Sequence, residues 1–563
     1  MSAGFASPLS SCRTALLPSS VASPALPANA AAPPRIGQPH AEAAWPALTS
    51  LAGAALAQGC RRAARGGRSR VTASADRTVL RALAQGSEAS AGSTSRKSQS
   101  TAVDLLPPDF DDEEDSSAKM QFNWTKAWYP VHVVDCMDPC RPHKTQLLGR
   151  NIVIWNDGKT VNGEKQMGTW RVFEDACPHR KAPLSEGRVE EDGNLLCSYH
   201  AWRFDGEGQC VALPYSPEAL RSKHMCNCKA QCIAFPCRIA DGLLFVWPEN
   251  GPDASTESAK KEPQLIEELR DPELSKKWIK FPPILRDLEL GWHAVFEKAM
   301  DPSHFLEARK DKTGNNYIDP KWFDMETIRS LDPNNGVAVK CIGGSFDFRP
   351  PCLVKIQQDR GVIFAMYSTP TVPGKCRHIG VLVVDTDTIA GDTGIINKDA
   401  VQLFMGLAPL WLQHLVTPFF LHEEAILMHH QEQNSRDCGS VAQSAPNEVD
   451  EGSNQFRRWL RAWARGGVPW LCDPTIPPQL NTNENTFDVW SSHTKHCMHC
   501  KTAYDNITKL KTASFCAAFV RLLIAPEGPE RVLGGALCVA FGVALTKLAD
   551  LFEFNELSPR DNR

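Results

Sequence analysis

The sequence predicts an α+β protein: an antiparallel β domain over 122–255, a mixed α+β domain over 256–480, and a pair of apolar helices over 511–550. Three patterns predict it. From Trp124 to Glu249 short apolar runs are broken by Gly, Asp and Asn, as in Asn151-Ile-Val-Ile-Trp155 followed by Asn156-Asp-Gly158, and such turn-bounded runs form antiparallel strands. Between 263 and 478, strand-like runs such as Val337-Ala-Val-Lys-Cys341 and Ile379-Gly-Val-Leu-Val-Val-Asp385 are mixed with two helical stretches, 287–309 and 405–433, which marks an α+β domain. Two further apolar stretches, Thr512 to Ala525 and Val532 to Thr546, flank Pro526-Glu-Gly-Pro-Glu-Arg531.

The 563 residues leave room for two or three domains, and with a net charge of −4 nothing in the composition suggests a nucleic-acid partner. Twenty cysteines are too dilute for a disulfide scaffold in a chain this long, which points to a reducing compartment. The first hundred residues differ in kind from the rest: they carry 11 Arg and Lys against Glu42, Asp76 and Glu88, and they are rich in Ser, Ala and Pro. Acid-poor, Arg- and Ser-rich composition is that of an organellar transit peptide. Val71-Thr-Ala73 before Ser74 resembles a chloroplast processing site, so 1–73 reads as the transit peptide and 74–121 as a linker whose acidic run, Asp104 to Asp115, repels itself.

Within the β domain, Cys177-Pro-His179 is followed after seventeen residues by Cys197-Ser-Tyr-His200. Two Cys-His pairs suit a Rieske [2Fe-2S] cluster, in which two thiolates hold one iron and two neutral imidazoles the other, raising the reduction potential above that of an all-cysteine ferredoxin. Zinc accepts the same four donors, but zinc modules usually pair Cys with Cys and His with His. Cys226, Cys228, Cys232 and Cys237 fall in a stretch that reads as strands, and are expected to be buried, inert thiols.

Around the ligands, Asp175-Ala-Cys-Pro-His-Arg180, Ala182-Pro-Leu-Ser-Glu-Gly-Arg188 and Tyr199-His-Ala-Trp-Arg-Phe204 resemble the cluster loops of Rieske oxygenases, with Ala201 where that family usually has Gly. Trp292-His-Ala-Val-Phe-Glu-Lys-Ala-Met-Asp301-Pro-Ser-His304 resembles the family segment that supplies an acidic electron bridge and the first histidine of a mononuclear iron. The resemblance assigns the bridge to Asp301 and iron ligation to His304 and Glu424, the latter in Leu421-His-Glu-Glu424. The family's second histidine position is occupied by Arg309, which is always charged and cannot ligate. Glu307, three residues from His304, is a replacement candidate. Lys298, where the family usually has Asn, is a further departure. Two readings therefore stand: a variant but working iron site, and a degenerate protein that keeps only the cluster and serves as an electron carrier or redox sensor.

Phe487-Asp-Val-Trp-Ser-Ser-His493-Thr-Lys-His496-Cys497-Met-His-Cys500 resembles a segment of one plant and algal branch, that of pheophorbide a oxygenase, the chloroplast translocon-associated Rieske protein and the protochlorophyllide-related oxygenase. Cys497 and Cys500, within a segment 481–510, are open to redox regulation by thioredoxin, a structural role or metal binding. The resemblance covers roughly 122–550. It implies a Rieske domain, a helix-grip catalytic domain, Fe(II), electrons from ferredoxin, a tetrapyrrole substrate, a homotrimer, and a C-terminal hairpin in the inner envelope or thylakoid membrane of the chloroplast, followed by a tail over 551–563. The two apolar stretches are each shorter than the roughly 20 residues a bilayer needs.

Overall fold

The computed structural model describes residues 122–272, 274–302, 325–341, 343–359, 361–385, 406–416, 427–435, 450–472 and 487–554. In the first domain, strand Arg150–Asn156 is buried from Ile152 onward because neighbours cover both of its edges and faces. It pairs antiparallel with His143–Leu147 on one side and Trp170–Glu174 on the other, and Ala234–Phe235 extends the sheet beyond Trp170–Glu174. A second four-stranded sheet runs Cys210–Ala212, Arg203–Phe204, Leu195–Leu196, Arg188–Val189. Val153, Trp155, Phe173, Leu184, Leu195 and Phe204 form a common core that also takes in Cys177 and Cys197. Large apolar side chains contribute about 1.5–3 kcal/mol each when buried, so the cysteine-bearing loops rest on a fixed floor.

The stretch expected to continue in strands departs from that reading. Pro217 has no N–H for a strand ladder, and its φ of −52° starts the helix Glu218–Met225 instead. Cys226 and Cys228 consequently lie exposed at a helix end and a following turn, and only Cys232 is buried as expected, while Cys237 is half-buried.

The second domain is an eight-stranded antiparallel sheet. Its order is Trp278–Lys280, Lys375–Asp385, Val362–Val372, Leu353–Gln358, Gly344–Arg349, Gly336–Cys341, Glu326–Asp332, with Ile284–Leu288 also paired to Lys375–Asp385. That pairing shortens the helix expected over 287–309: the chain is still strand at Leu288, turns through extended Gly291 (ψ 138°), and is helical only over Trp292–Ala299. Trp292 and Phe296, one turn apart, face helix Glu451–Ala462, where Phe456 and Trp459 complete an aromatic core with Phe348 of the sheet. Phe348 meets Phe456 at 4.9 Å and Trp459 at 5.1 Å, both edge to face. Helices gripped against an antiparallel sheet are the α+β arrangement expected. Of the 405–433 helical stretch, the described residues show helix Leu410–Val416 and helical residues over 427–435.

The C-terminal pair is a helical hairpin, Met498–Ile524 and Pro529–Glu553, turning at Gly528. The first helix begins well before the apolar stretch, so Cys500 sits in its opening turn rather than in a separate segment. Small residues let the two helices approach: a Cβ on Gly542 would stand 2.8 Å from the Phe515 ring. The outer faces are apolar and uncovered, with Phe519 65% and Ile524 77% exposed. Pro529–Glu553 is long and apolar enough to cross a membrane.

Candidate functional site

The two Cys-His loops have the same backbone design. Cys177 N–H donates to the Ala182 carbonyl at 2.8 Å and Lys181 N–H returns to the Cys177 carbonyl at 2.8 Å; Cys197 N–H donates to Trp202 at 2.9 Å and Ala201 N–H returns to Cys197 at 3.0 Å. The fourth residue after each cysteine is left-handed, Lys181 at φ 60° and Ala201 at φ 54°. This is why glycine suits position 201: alanine adopts the required conformation at a cost of about 1 kcal/mol. Asp175 braces the first loop by accepting from both Ser185 N–H and Ser185 Oγ at 2.7 Å.

These loops bring Cys177, His179, Cys197 and His200 together. Both cysteines are 2% exposed, and the His179 and His200 rings meet at 4.6 Å. Trp202 stacks on His179 at 4.6 Å with planes 8° apart, and Tyr199, 60% exposed, covers His200 at 3.9 Å. The Cys197 thiol is lowered to about 6, first by the Cys177 thiol and then by the Tyr199 and His200 amides, against the opposing effect of burial. The His200 Nδ1 is buried with no partner. Two buried thiols, two imidazoles at one mouth and an orphaned ring nitrogen fit a cluster with one thiolate-held and one imidazole-held iron.

Asp301 stands just beyond helix Trp292–Ala299, half-buried, its N–H on the Lys298 carbonyl at 3.1 Å. His304, Glu307, Arg309 and Glu424 lie outside the described residues. The turn before helix Trp292–Ala299 touches the helical residues 427–435: Gly291 N–H donates to Glu432 at 3.0 Å, and His429 Nδ1 lies 3.2 Å from the Glu289 carbonyl. The other His429 nitrogen is 2.9 Å from Gln433, so that imidazole is committed. His378 is buried on the sheet, with Ser368 Oγ 3.0 Å from its Nδ1. Burial lowers it to about 4, reinforced by the charges of Lys298 and Arg286.

Cys497 and Cys500 are each 1% exposed, at the N-cap and in the first turn of helix Met498–Ile524. His493 joins them through Nε2, 3.3 Å from Cys500 Sγ. His496 turns away to pair with Asp287 at 3.1 Å, and His499 Nε2 lies 2.9 Å from the Asp135 carbonyl. Two neighbours carry no signal in the local sequence. His414 of helix Leu410–Val416 places Nδ1 3.6 Å from Cys497 Sγ and 3.4 Å from Cys500 Sγ, and Cys136 packs in the same buried cluster as both cysteines. His414 stands alone between Gln413 and Leu415, with no second ligand at metal-binding spacing to mark it.

Residues 127–232 match the family model of the Rieske [2Fe-2S] domain, and 348–441 that of pheophorbide a oxygenase. The chain is 32% identical over 440 residues to the chloroplastic pheophorbide a oxygenase of Oryza sativa subsp. japonica, covering 71% of this chain and 78% of that protein. A chloroplastic flavonoid 8-hydroxylase 2 of Ocimum basilicum is 28% identical over 441 residues, covering 73% and 79%. The chloroplastic protochlorophyllide-dependent translocon component 52 of Arabidopsis thaliana is 27% identical over 435 residues, covering 69% and 75%.

Proposed function

From the premise that this chain belongs to the pheophorbide a oxygenase family of Rieske-type oxygenases, we propose that it oxygenates a chlorophyll-derived tetrapyrrole with O₂ and ferredoxin-derived electrons, in a chloroplast membrane. The Rieske domain carries a [2Fe-2S] cluster, which supplies one-electron transfer. In this reading Cys177 and Cys197 hold one iron, and His179 and His200 the other. The observation that carries the reading is the matched pair of loops, with His179 fixed by Trp202 and the His200 Nδ1 left without a protein partner. Trp202 limits rotation of His179, so electron transfer would need little reorganisation there. Asp301 is the bridge through which electrons would pass to a neighbouring catalytic centre in a homotrimer. The exposed faces of Pro529–Glu553 and its partner helix support a membrane anchor, since apolar patches of this kind are seldom left in water.

Arg309 and Lys298 favour a second reading, a chain that retains the cluster but not the mononuclear iron and acts as an electron-transfer or redox-sensing protein. Iron analysis separates the two. Anaerobically reconstituted full-length protein should bind about three irons per chain if it is an oxygenase and about two if it is a carrier. His304→Ala should remove the third iron. Turnover is then tested with reduced ferredoxin and O₂ on pheophorbide a and, because one relative is named a flavonoid hydroxylase, on a flavone. Two irons, no product from either substrate and no gain in Arg309→His would overturn the oxygenase reading. Product from the flavone alone would overturn the tetrapyrrole assignment.

A further inference from the structure

We infer that His414 Nδ1, His493 Nε2, Cys497 Sγ and Cys500 Sγ form a closed tetrahedral Zn²⁺ site that clamps the C-terminal hairpin to the catalytic domain. The four ligand atoms lie within 4.8 Å of one another, and all four residues are buried. A tetrahedral zinc with bonds of about 2.3 Å to sulfur and about 2.0–2.1 Å to nitrogen has nitrogen–sulfur edges of about 3.5–3.6 Å. Three of the four nitrogen–sulfur separations are 3.3, 3.4 and 3.6 Å. A [2Fe-2S] centre divides its ligands between two irons, whereas these four donor atoms lie close enough together to share one ion.

The surroundings are those of a metal site. His493 Nδ1 lies 2.7 Å from the Leu285 carbonyl, to which it can only donate, and this leaves the Nε2 lone pair directed at Cys500. Metal-bound imidazoles are fixed in this way, by a carbonyl acceptor on the far nitrogen. Cys136 packs in the same buried cluster as Cys497 and Cys500, outside the quartet. Charge balances as well: two thiolates and Zn²⁺ sum to zero, whereas a lone buried thiolate or cation would be costly. Binding at neutral pH displaces any remaining thiol protons to solvent and changes no oxidation state. The same burial closes both thiols to a reductase, which separates this site from a dithiol switch.

The site also explains a placement. His414 comes from the catalytic domain's described helix Leu410–Val416, His493 is tied to strand Ile284–Leu288, and Cys497 and Cys500 open the hairpin. Zinc would join all three at one point.

The test uses full-length protein purified without chelator, with zinc and iron measured separately so that this site and the mononuclear iron site fail independently. About one zinc per chain is expected, falling below about 0.1 in Cys500→Ser and in His414→Ala and unchanged in Cys136→Ser, with the cluster absorbance retained. In wild-type protein, where folding is not in question, Co²⁺ exchange should give the intense visible absorption of a tetrahedral thiolate site. A zinc chelator should raise alkylation of Cys497 and Cys500 at least tenfold. Zinc below about 0.1 per chain in the wild type, iron in its place, zinc retained in both ligand variants, or a Cys497–Cys500 disulfide in the native protein would each overturn the assignment.

Discussion

Replacing Asp287 tests how the catalytic sheet is held to the cluster domain. Asp287 accepts two hydrogen bonds from Arg377, at 2.6 Å from Nε and 2.7 Å from Nη2, while Arg377 Nη1 donates at 3.1 Å to the Val131 carbonyl in the first domain. Burial opposes ionisation of Asp287, yet Arg377 and His496 hold it well below the usual carboxylate range. Arg377 is 3% exposed, so Asp287→Ala leaves a guanidinium buried without its counter-ion. Such truncations cost about 3–5 kcal/mol when both partners are buried. Asp287 itself retains 35% of its side-chain surface, which lets water replace part of the lost interaction and brings the expected cost to about 2–3 kcal/mol. Hydrogen exchange read by mass spectrometry on the paired strands Ile284–Leu288 and Lys375–Asp385 should accelerate about 30- to 150-fold, at roughly 1.4 kcal/mol per tenfold. The double variant Asp287→Ala/Arg377→Met removes the stranded charge and should exchange more slowly than the single. Acceleration below about fivefold, or a double variant faster than the single, would refute the assignment of a buried charge pair as the fastener.

Three further outcomes follow from the same geometry. Ala201→Gly relieves the left-handed strain at φ 54° and should raise the cluster domain's stability by about 0.5–1 kcal/mol; a lower thermal midpoint of cluster bleaching would contradict the strain. Burial lowers His143 and His378 each to about 4, so between about pH 6.5 and 4 the unfolded chain takes up protons that the folded protein refuses. Stability is therefore full above about pH 6.5 and falls with pH, by about 2 kcal/mol per histidine at pH 5, and a urea midpoint that holds or rises between pH 7 and 5 would exclude this. Gly542→Leu forces the Phe515 ring, 2.8 Å from where a Cβ would stand, out of the hairpin at a cost of about 1–3 kcal/mol; tryptic cleavage at Arg521 in micelles should quicken, and an unchanged rate would show that the helices do not pack there.

Much of this was legible because the signals are local. A left-handed backbone recurs four residues after Cys177 and Cys197, and the departure at Ala201 marked that position in the sequence. Strand patterning located Arg150–Asn156 and Val337–Cys341 for the same reason, since turn residues adjoin them. The helix limits over 287–309 were not legible, because apolar character continues from Ile284 through Phe296 and only the pairing of Leu285 with Ile379 makes the first part strand. Nor was His414: it reaches Cys500 across 86 residues, and a lone histidine in an apolar helix has no period or spacing to betray it.

The segment expected to be a local marker, 487–500, turns out to be where the long-range contacts converge. His493 reaches the Leu285 carbonyl 208 residues away, His499 lies against the Asp135 carbonyl 364 residues away, and Thr494 donates to Phe552 at the end of the hairpin. Asp135 follows the buried strand Tyr129–Val133 of the cluster domain, and Leu285 belongs to the catalytic sheet. A single stretch of fourteen residues therefore touches the cluster domain, the catalytic sheet and the hairpin. Flexibility there would let the two domains and the hairpin shift relative to one another, and electron transfer over a fixed distance tolerates little of that. Close-spaced histidines and cysteines at this position make physical sense as donors of directional bonds that apolar packing alone would not supply. The segment's family character thus has a mechanical reading that does not require its thiols to be reactive.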